Sequence, residues 1–506
     1  MRVAHPLIAS VVVFVASFCT LVLELIAGRI LAPWLGVSLY TWTSIIGVCL
    51  AGIAAGNYVG GKIADRFPTA LTVGVQFVVS GVLALAILPA TVWVIDAQLG
   101  REWPLMLRIL VDTTIVFFLP TAVLGTISPV VIKLSLADLG RTGSIVGRIY
   151  AISTVGAIAG TFATGFFLID VMGTRAIVWW VAAALIAIGV VVARPWRKPA
   201  LLTVAALAIG VLALAWYRLP AFAAPCLRES NYYCIQIVDD YGMKALKLDQ
   251  FVHSYVSTSD PTIIGYGYER TYQELTDFHV RGRASFTTLA IGAGGYTFPR
   301  YLIAAYPHAK VDVLEIDPAV IEVARQYLGV PDDPRLTSYS GDARLWFIEE
   351  RPVGRYDIVY GDAFNDIAIP WHLTTLEFDR MIRRSLAPDG LLMANIVDDF
   401  DRGDFLRASV NTLRQVFEYV YVFPREPQSA TSHPTTFVLV ASAAPLDLDE
   451  FQKFDGPHTD LLKFSSAIAA DDLLRYLEGG RRIVLTDDHA PADNLIAPVV
   501  NIRAAP

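Results

Sequence analysis

Charge is what the first part of this chain lacks. Residues 6 to 218 are mostly apolar, and charges within or near the long apolar runs are few, among them Glu24, Arg29, Asp112, Lys133 and Asp170. A soluble core does not tolerate so much apolar surface, so these runs exclude an ordinary globular N-terminal domain. Positive charge is also scarce overall. The net charge is -7, and no basic stripe with interleaved aromatics is present, which argues against a nucleic-acid partner. Cysteine is rare, with four in 506 residues. Cys19 and Cys49 lie inside apolar runs and read as small buried hydrophobes. Cys226 and Cys234 stand close together after the last run, where a disulfide requires an oxidising compartment. No Cys/His spacing suggests zinc, so no metal is expected. The soluble part has no internal repeat and no low-complexity segment.

What is present falls into three parts. Residues 1–218 read as a multi-pass transmembrane domain, 226–285 as a small β module with a connecting helix, and 286–506 as an α/β domain. Seven stretches are long enough to span a bilayer, at 6–28, 39–60, 71–95, 105–135, 149–170, 174–193 and 199–217. The fourth contains Pro120 and Pro129, which predicts a kink or tilt. Gly52-Ile-Ala-Ala-Gly56 and Gly156-Ala-Ile-Ala-Gly160 place small residues four apart, which lets helices approach closely. The N-terminus and the loops after spans two, four and six carry more Lys and Arg than the others, so the N-terminus is expected in the cytoplasm. Gly60-Gly-Lys-Ile-Ala-Asp-Arg66 resembles a cytoplasmic loop signature of major-facilitator transporters, in agreement with that count. Seven spans put the C-terminal domain outside; six put it inside.

The soluble part opens with Tyr232 to Val238, a turn at 239–242, and Ala245 to Leu248, an alternating pair that predicts a β-hairpin. A helix is expected through Tyr268–Leu275. Candidate strands then follow at 287–292, 311–315, 336–340, 357–361, 391–396 and 436–441. Helices are expected at 318–328 and 374–385, and a turn at 388–390. Alternating strands and helices predict a doubly wound, Rossmann-like sheet with its ligand site at the carboxyl ends of the strands.

Candidate site residues lie at those strand ends. Leu289-Ala-Ile-Gly-Ala-Gly-Gly-Tyr296 is an apolar run entering a glycine turn, in which Gly292, Gly294 and Gly295 allow backbone to approach a ligand. It is not the full dinucleotide fingerprint. Glu315, ending the second strand, can accept both hydroxyls of a ribose. Asp342 ends the third strand, where it can accept from an adenine amino group while the Ala343 N–H meets a ring nitrogen; the alternative is a helix N-cap. Together they read as an S-adenosyl nucleoside site. Asp362 ends the fourth strand and is placed to take a proton from an amine nucleophile.

The ordered set resembles the polyamine aminopropyltransferases, the spermidine synthase family, over residues 229 to about 400. The matching features are the hairpin, Leu246-Lys-Leu-Asp249, Tyr272-Gln-Glu274, the glycine turn, Leu314-Glu-Ile-Asp317, Gly341-Asp-Ala343, and Asp362 with Pro370-Trp-His-Leu-Thr-Thr-Leu-Glu-Phe378. The resemblance implies transfer of an aminopropyl group from decarboxylated S-adenosylmethionine to an amine such as putrescine. It implies nucleoside roles for Glu315, Asp342 and Ala343, a general-base role for Asp362, and an amine site near Tyr233, His253, Gln273 and Gly295. The family's glycine turn carries an acid where Gly295-Tyr296 stands here, so one amine partner is missing. Asp366, Glu274 or Asp239 are the candidates to replace it. Two further readings stand beside the first: an S-adenosylmethionine-dependent methyltransferase with another acceptor, and a transporter or sensor that binds a polyamine or nucleoside without catalysis. The expected partners are the membrane and a small amine, and a homo-oligomer is left open.

Overall fold

Glycine decides how the apolar helices meet. The computed structural model describes residues 6–36, 38–97, 103–136, 139–193, 226–363, 369–425, 435–458 and 465–503, and divides into two compact units, Met1–Cys234 and Ile235–Pro506. In the first unit lie α1 (Pro6–Leu35), α2 (Leu39–Arg66), α3 (Ala70–Ala97), α4 (Leu105–Gly125), α5 (Ile127–Ser135), α6 (Thr142–Ala163) and α7 (Thr174–Ala193). A Cβ on Gly56 would stand 2.0 Å from the Ala122 carbonyl oxygen, and one on Gly60 2.7 Å from Thr126, so α2 and α4 run parallel in backbone contact. Gly156 and Gly160 meet Phe14 and Phe18 in the same way, making α1 and α6 parallel. Gly74 and Gly81 meet Ala193 and Ile186, making α3 and α7 antiparallel. Glycines at these positions let the helix backbones approach closely enough to pack against one another.

Among the described residues six helices are long and apolar enough to cross a membrane. They match the first six expected stretches; the seventh, 199–217, lies outside the described residues. The fourth is broken at Thr126 into α4 and α5, with Pro120 inside α4. Gln76 Nε2 donates to the Thr126 carbonyl at 3.2 Å, which satisfies backbone at the break. Lys133, one of the few charges near the spans, pairs with Asp65 at 3.1 Å.

The second unit begins with antiparallel β1 (Cys234–Asp240), β2 (Met243–Leu248) and β3 (Phe251–Val256). α8 (Gly267–Val280) follows. A seven-stranded sheet is then built from β4 (Phe286–Ile291), β5 (Ala309–Glu315), β6 (Leu336–Ser340), β7 (Tyr356–Gly361), β8 (Leu386–Asp398), β9 (Tyr419–Pro424) and β10 (Thr435–Ser442). The order is β9-β10-β8-β7-β4-β5-β6. β8, β7, β4, β5 and β6 are parallel, and β10 and β9 add antiparallel pairs, so the sheet is mixed. The expected turn at 388–390 is instead a bulge in β8, where Tyr356 pairs with Leu386 but Ile358 with Leu391. β9 is a strand that the sequence pattern did not announce.

Helices α9 (Thr297–Ala305), α10 (Pro318–Tyr327), α11 (Ala343–Glu350), α12 (Leu376–Ser385) and α13 (Phe405–Leu413) cross between or flank the strands. Three start on side-chain caps: Asp317 accepts from Ala319 N, Asp342 from Leu345 N, and Thr375 from Phe378 N. Each cap is worth about 1 kcal/mol. The order of strands reverses at β4, between β5 and β7, and this switch point collects the carboxyl ends of the central strands.

Candidate active site

The glycine turn after β4 touches the end of β7. Gly292 has φ +82°, and a Cβ there would come 2.5 Å from the Asp362 carbonyl oxygen. Gly294, with φ +47°, and Gly295 lie against Ser254 of β3, whose Oγ accepts the Gly295 N–H at 2.6 Å. The cradle is therefore closed on one side by Asp362 and on the other by β3.

Glu315 ends β5 beside the turn and is buried. Its two oxygens accept the backbone N–H groups of Ala293 and Asp317, both at 3.2 Å. Burial raises its carboxyl above the usual range, and those N–H groups oppose the rise. Asp342 caps α11 through Leu345 N at 2.9 Å, and its second oxygen meets His372 Nε2 at 2.8 Å. The N-cap alternative is thus realised, and His372, from the segment before α12, is an additional partner. Ala343 is the first residue of α11, and its side chain is buried.

Asp362 is held from two sides. Tyr268 of α8 donates its hydroxyl to Oδ2 at 2.6 Å, and Asn395 of β8 donates Nδ2 to Oδ1 at 2.8 Å. Burial pushes the carboxyl upward; the two donors and nearby His253 pull it down. Tyr272, one turn after Tyr268, donates to the Gly361 carbonyl at 3.3 Å. Glu269, three residues before Tyr272, shares its helix face. Glu269 accepts from Tyr266 N at 3.2 Å and is 5% exposed. Burial first, and then the charge of Asp362, push Glu269 up to about 8. Tyrosines continue from there: Tyr255, Tyr266, Tyr268, Tyr272 and Tyr360 stand in sequence with ring centroids 5.2 to 5.7 Å apart. Two buried acids walled by aromatic faces can hold a cation removed from water.

The remaining expected residues fall in different places. His253 is half-buried on β3, its Cβ 4.0 Å from the Cβ position of Gly294. Gln273 donates to the His458 carbonyl. Tyr233 belongs to the first unit, with its N–H on Ser230 Oγ. Tyr296 is fully buried, and its hydroxyl donates to Ser338 Oγ at 2.9 Å. Of the candidates to replace the missing acid, Asp239 pairs with Lys244 at 2.5 Å and Glu274 accepts from Ser465 N at 3.0 Å. Asp366 lies outside the described residues.

Sequence reasoning missed Glu269, Tyr268, Asn395 and His372. Asn395 carried a signal, being a polar side chain in the apolar run of β8. Glu269 carried none, because an acid in a first helical turn is ordinary. Among the described residues no group of three or more His, Cys, Asp or Glu is arranged to hold a metal ion.

No protein-family model matches the chain. It is 35% identical over 136 residues to a polyamine aminopropyltransferase of Vibrio vulnificus, covering 27% of this chain and 44% of that protein. It is 24% identical over 418 residues to polyamine aminopropyltransferase 1 of Streptomyces coelicolor, covering 75% of this chain and 74% of the relative. Putrescine N-methyltransferase 1 of Nicotiana tabacum matches at 29% over 135 residues, 26% of this chain and 36% of the relative. The chain thus spans less than half the length of the Vibrio protein. On these matches its α/β unit is similar to the polyamine aminopropyltransferases, or spermidine synthases.

Proposed function

We propose that this chain is an aminopropyltransferase-like transferase joined to a membrane domain. The donor is decarboxylated S-adenosylmethionine and the acceptor is an amine such as putrescine. The observation that carries this reading is Asp362, held buried by Tyr268 and Asn395 against the Gly292 turn.

The residues fit an S-adenosyl nucleoside. The positive-φ glycines leave room that a Cβ would fill, and Glu315 stands beside them with its carboxylate oriented by two N–H groups. Glu315 would accept from the ribose hydroxyls, and Asp342 and the Ala343 N–H would meet the adenine edge. The amine lone pair attacks the methylene carbon bonded to the sulfonium. The carbon–sulfur bond breaks and its electron pair stays on sulfur, leaving a neutral thioether nucleoside. The proton released from nitrogen goes to Asp362, whose burial favours the protonated form that results.

A second reading has its own observation. The amine-holding acid is absent at Gly295-Tyr296, and a putrescine N-methyltransferase is among the relatives. Methyl transfer would use the same base and the parent donor.

The test is mass spectrometry of the purified full chain with putrescine and each donor. Aminopropylated putrescine with the decarboxylated donor supports the first reading, and methylated putrescine with the parent donor supports the second. Asp362→Asn should abolish either product while retaining nucleoside binding by calorimetry; unchanged turnover would remove Asp362 as the base.

A further inference from the structure

The residues that lead into the α/β unit are tied to one face of the helix bundle, and that face can be identified. Glu229 accepts the Thr174 N–H at 3.0 and 3.1 Å, at the first residue of α7. Its Oε1 also lies 3.6 Å from Arg29 Nε, near the C-terminal end of α1. Arg29 donates to the carbonyls of Asn231, at 2.8 Å, and Ser230. Gly173 is in contact as well, since a Cβ on it would stand 3.0 Å from Glu229 Oε2. All of these residues belong to the first unit.

The end of α1 and the start of α7 lie on the same face, because α1 and α6 run parallel and α7 returns from the end of α6. The opposite face carries Lys62, Arg66, Arg141 and Arg148, at the end of α2 and the start of α6. By the charge rule the basic face is cytoplasmic. On the other face Arg29 and Arg175 both sit in the field of Glu229, and Arg108, at the start of α4, is 3.9 Å from Asp112. A second, independent observation points the same way. Cys226 and Cys234, which flank the anchored segment, are disulfide-bonded, and such a bond persists in an oxidising compartment.

We infer that the chain enters its α/β unit on the non-cytoplasmic side of the membrane, with Arg29, Thr174 and Glu229 as the anchor and Cys226–Cys234 as the clasp. Ile235 follows Cys234 directly, so the α/β unit starts on that side. The expected span 199–217 falls in the sequence between Ala193, on the basic face, and Cys226. If the site takes an S-adenosyl donor, a clause that rests on the function proposed above, the reactions that supply donor and amine must end in export across the membrane.

The test uses the full chain in spheroplasts and a charged, membrane-impermeant maleimide, read as a mass shift. Without reductant the wild type should not shift. After treatment with an impermeant reductant it should take two labels, which the Cys226→Ser, Cys234→Ser double variant should lose. Labelling only after lysis, or labelling without reductant, would overturn the inference. A second variant guards against a clasp that misfolds when altered. Ser144→Cys, on the exposed basic face at the start of α6, should label only after lysis; labelling in intact spheroplasts would equally overturn it. Neither outcome depends on catalysis, so failure here leaves the transferase reading standing.

Discussion

Gly292 and Asp362 touch through their backbones: the place of a Cβ on Gly292 is 2.5 Å from the Asp362 carbonyl oxygen, with the glycine at φ +82°. Gly292→Ala therefore meets both a steric and a conformational barrier. The expected result is a loss of roughly 2–4 kcal/mol in the stability of the α/β unit and a nucleoside affinity reduced at least tenfold. Denaturant unfolding and calorimetry with methylthioadenosine measure the two effects. Wild-type affinity in a folded variant would show that the turn does not hold the ligand.

Burial raises the Asp362 carboxyl, and Tyr268 and Asn395 oppose that rise. The Asn395 Nδ2 bond favours the charged carboxylate, as does the Tyr268 hydroxyl. Asn395→Ala and Tyr268→Phe should each raise the Asp362 pKa. A base must be deprotonated, so the acidic limb of the kcat/KM profile should move to higher pH, with kcat about 10–100-fold lower at pH 7. A profile unmoved by both changes would separate Asp362 from the proton transfer.

Glu269 behaves differently. Held at about 8 by burial and by the charge of Asp362, it is still protonated while Asp362 ionises, so replacing it with glutamine should leave the acidic limb in place. The KM for a cationic amine should rise only above about pH 8, where Glu269 would carry its charge. A KM unchanged across that range would leave Glu269 as a packing residue.

The same group governs stability against pH. Burial holds Glu269 at about 8 in the folded chain, from an ordinary 4.5, and Asp379 at about 8 from 3.8. The folded chain keeps protons that the unfolded chain loses. Their stabilisation is complete below the unfolded values and fades as pH rises through about 8. Thermal melts should show Tm falling from pH 5 to pH 8, by about 2–4 °C per kcal/mol lost in a domain of this size. Glu269→Gln and Asp379→Asn should each flatten that slope.

Gly56→Val tests the bundle. With the Ala122 oxygen 2.0 Å from the Cβ position, no rotamer change relieves the clash. The variant should be lost from the membrane or aggregate in detergent, whereas Gly47→Ala, open to its surroundings, should behave as wild type. A stable Gly56→Val protein would rule out the tight α2–α4 contact.

β4, β5 and β7 were legible as apolar runs closed by a glycine or an acid, whereas β6, Leu336-Thr-Ser-Tyr-Ser340, is mostly polar and was marked by Gly341-Asp342 after it; the observed ends at Ile291, Glu315, Ser340 and Gly361 lie within one residue of the expectation. β9 was not, because it is an edge strand ending at Pro424, with Tyr419 and Tyr421 half-buried, so its pattern is mixed. Asp342 announced both of its readings, cap and ligand acceptor, and the fold realises the cap without removing the strand-end position. The supports of Asp362 could not be read locally. Tyr268 reaches it across 94 residues and Asn395 across 33, and only the folded sheet sets those distances. The change of Gly295-Tyr296 was visible, but that Tyr296 turns into the core toward Ser338 is a packing outcome.

The Arg29 anchor also orders events in time. Its partners Ser230 and Asn231 lie 201 and 202 residues later in the chain. A ribosome therefore finishes and inserts α1 long before anything exists to neutralise that guanidinium. The helices assemble around an unfinished corner that closes only when Glu229 to Asn231 emerge, and a chain stopped before Cys226 should be the first substrate of membrane quality control.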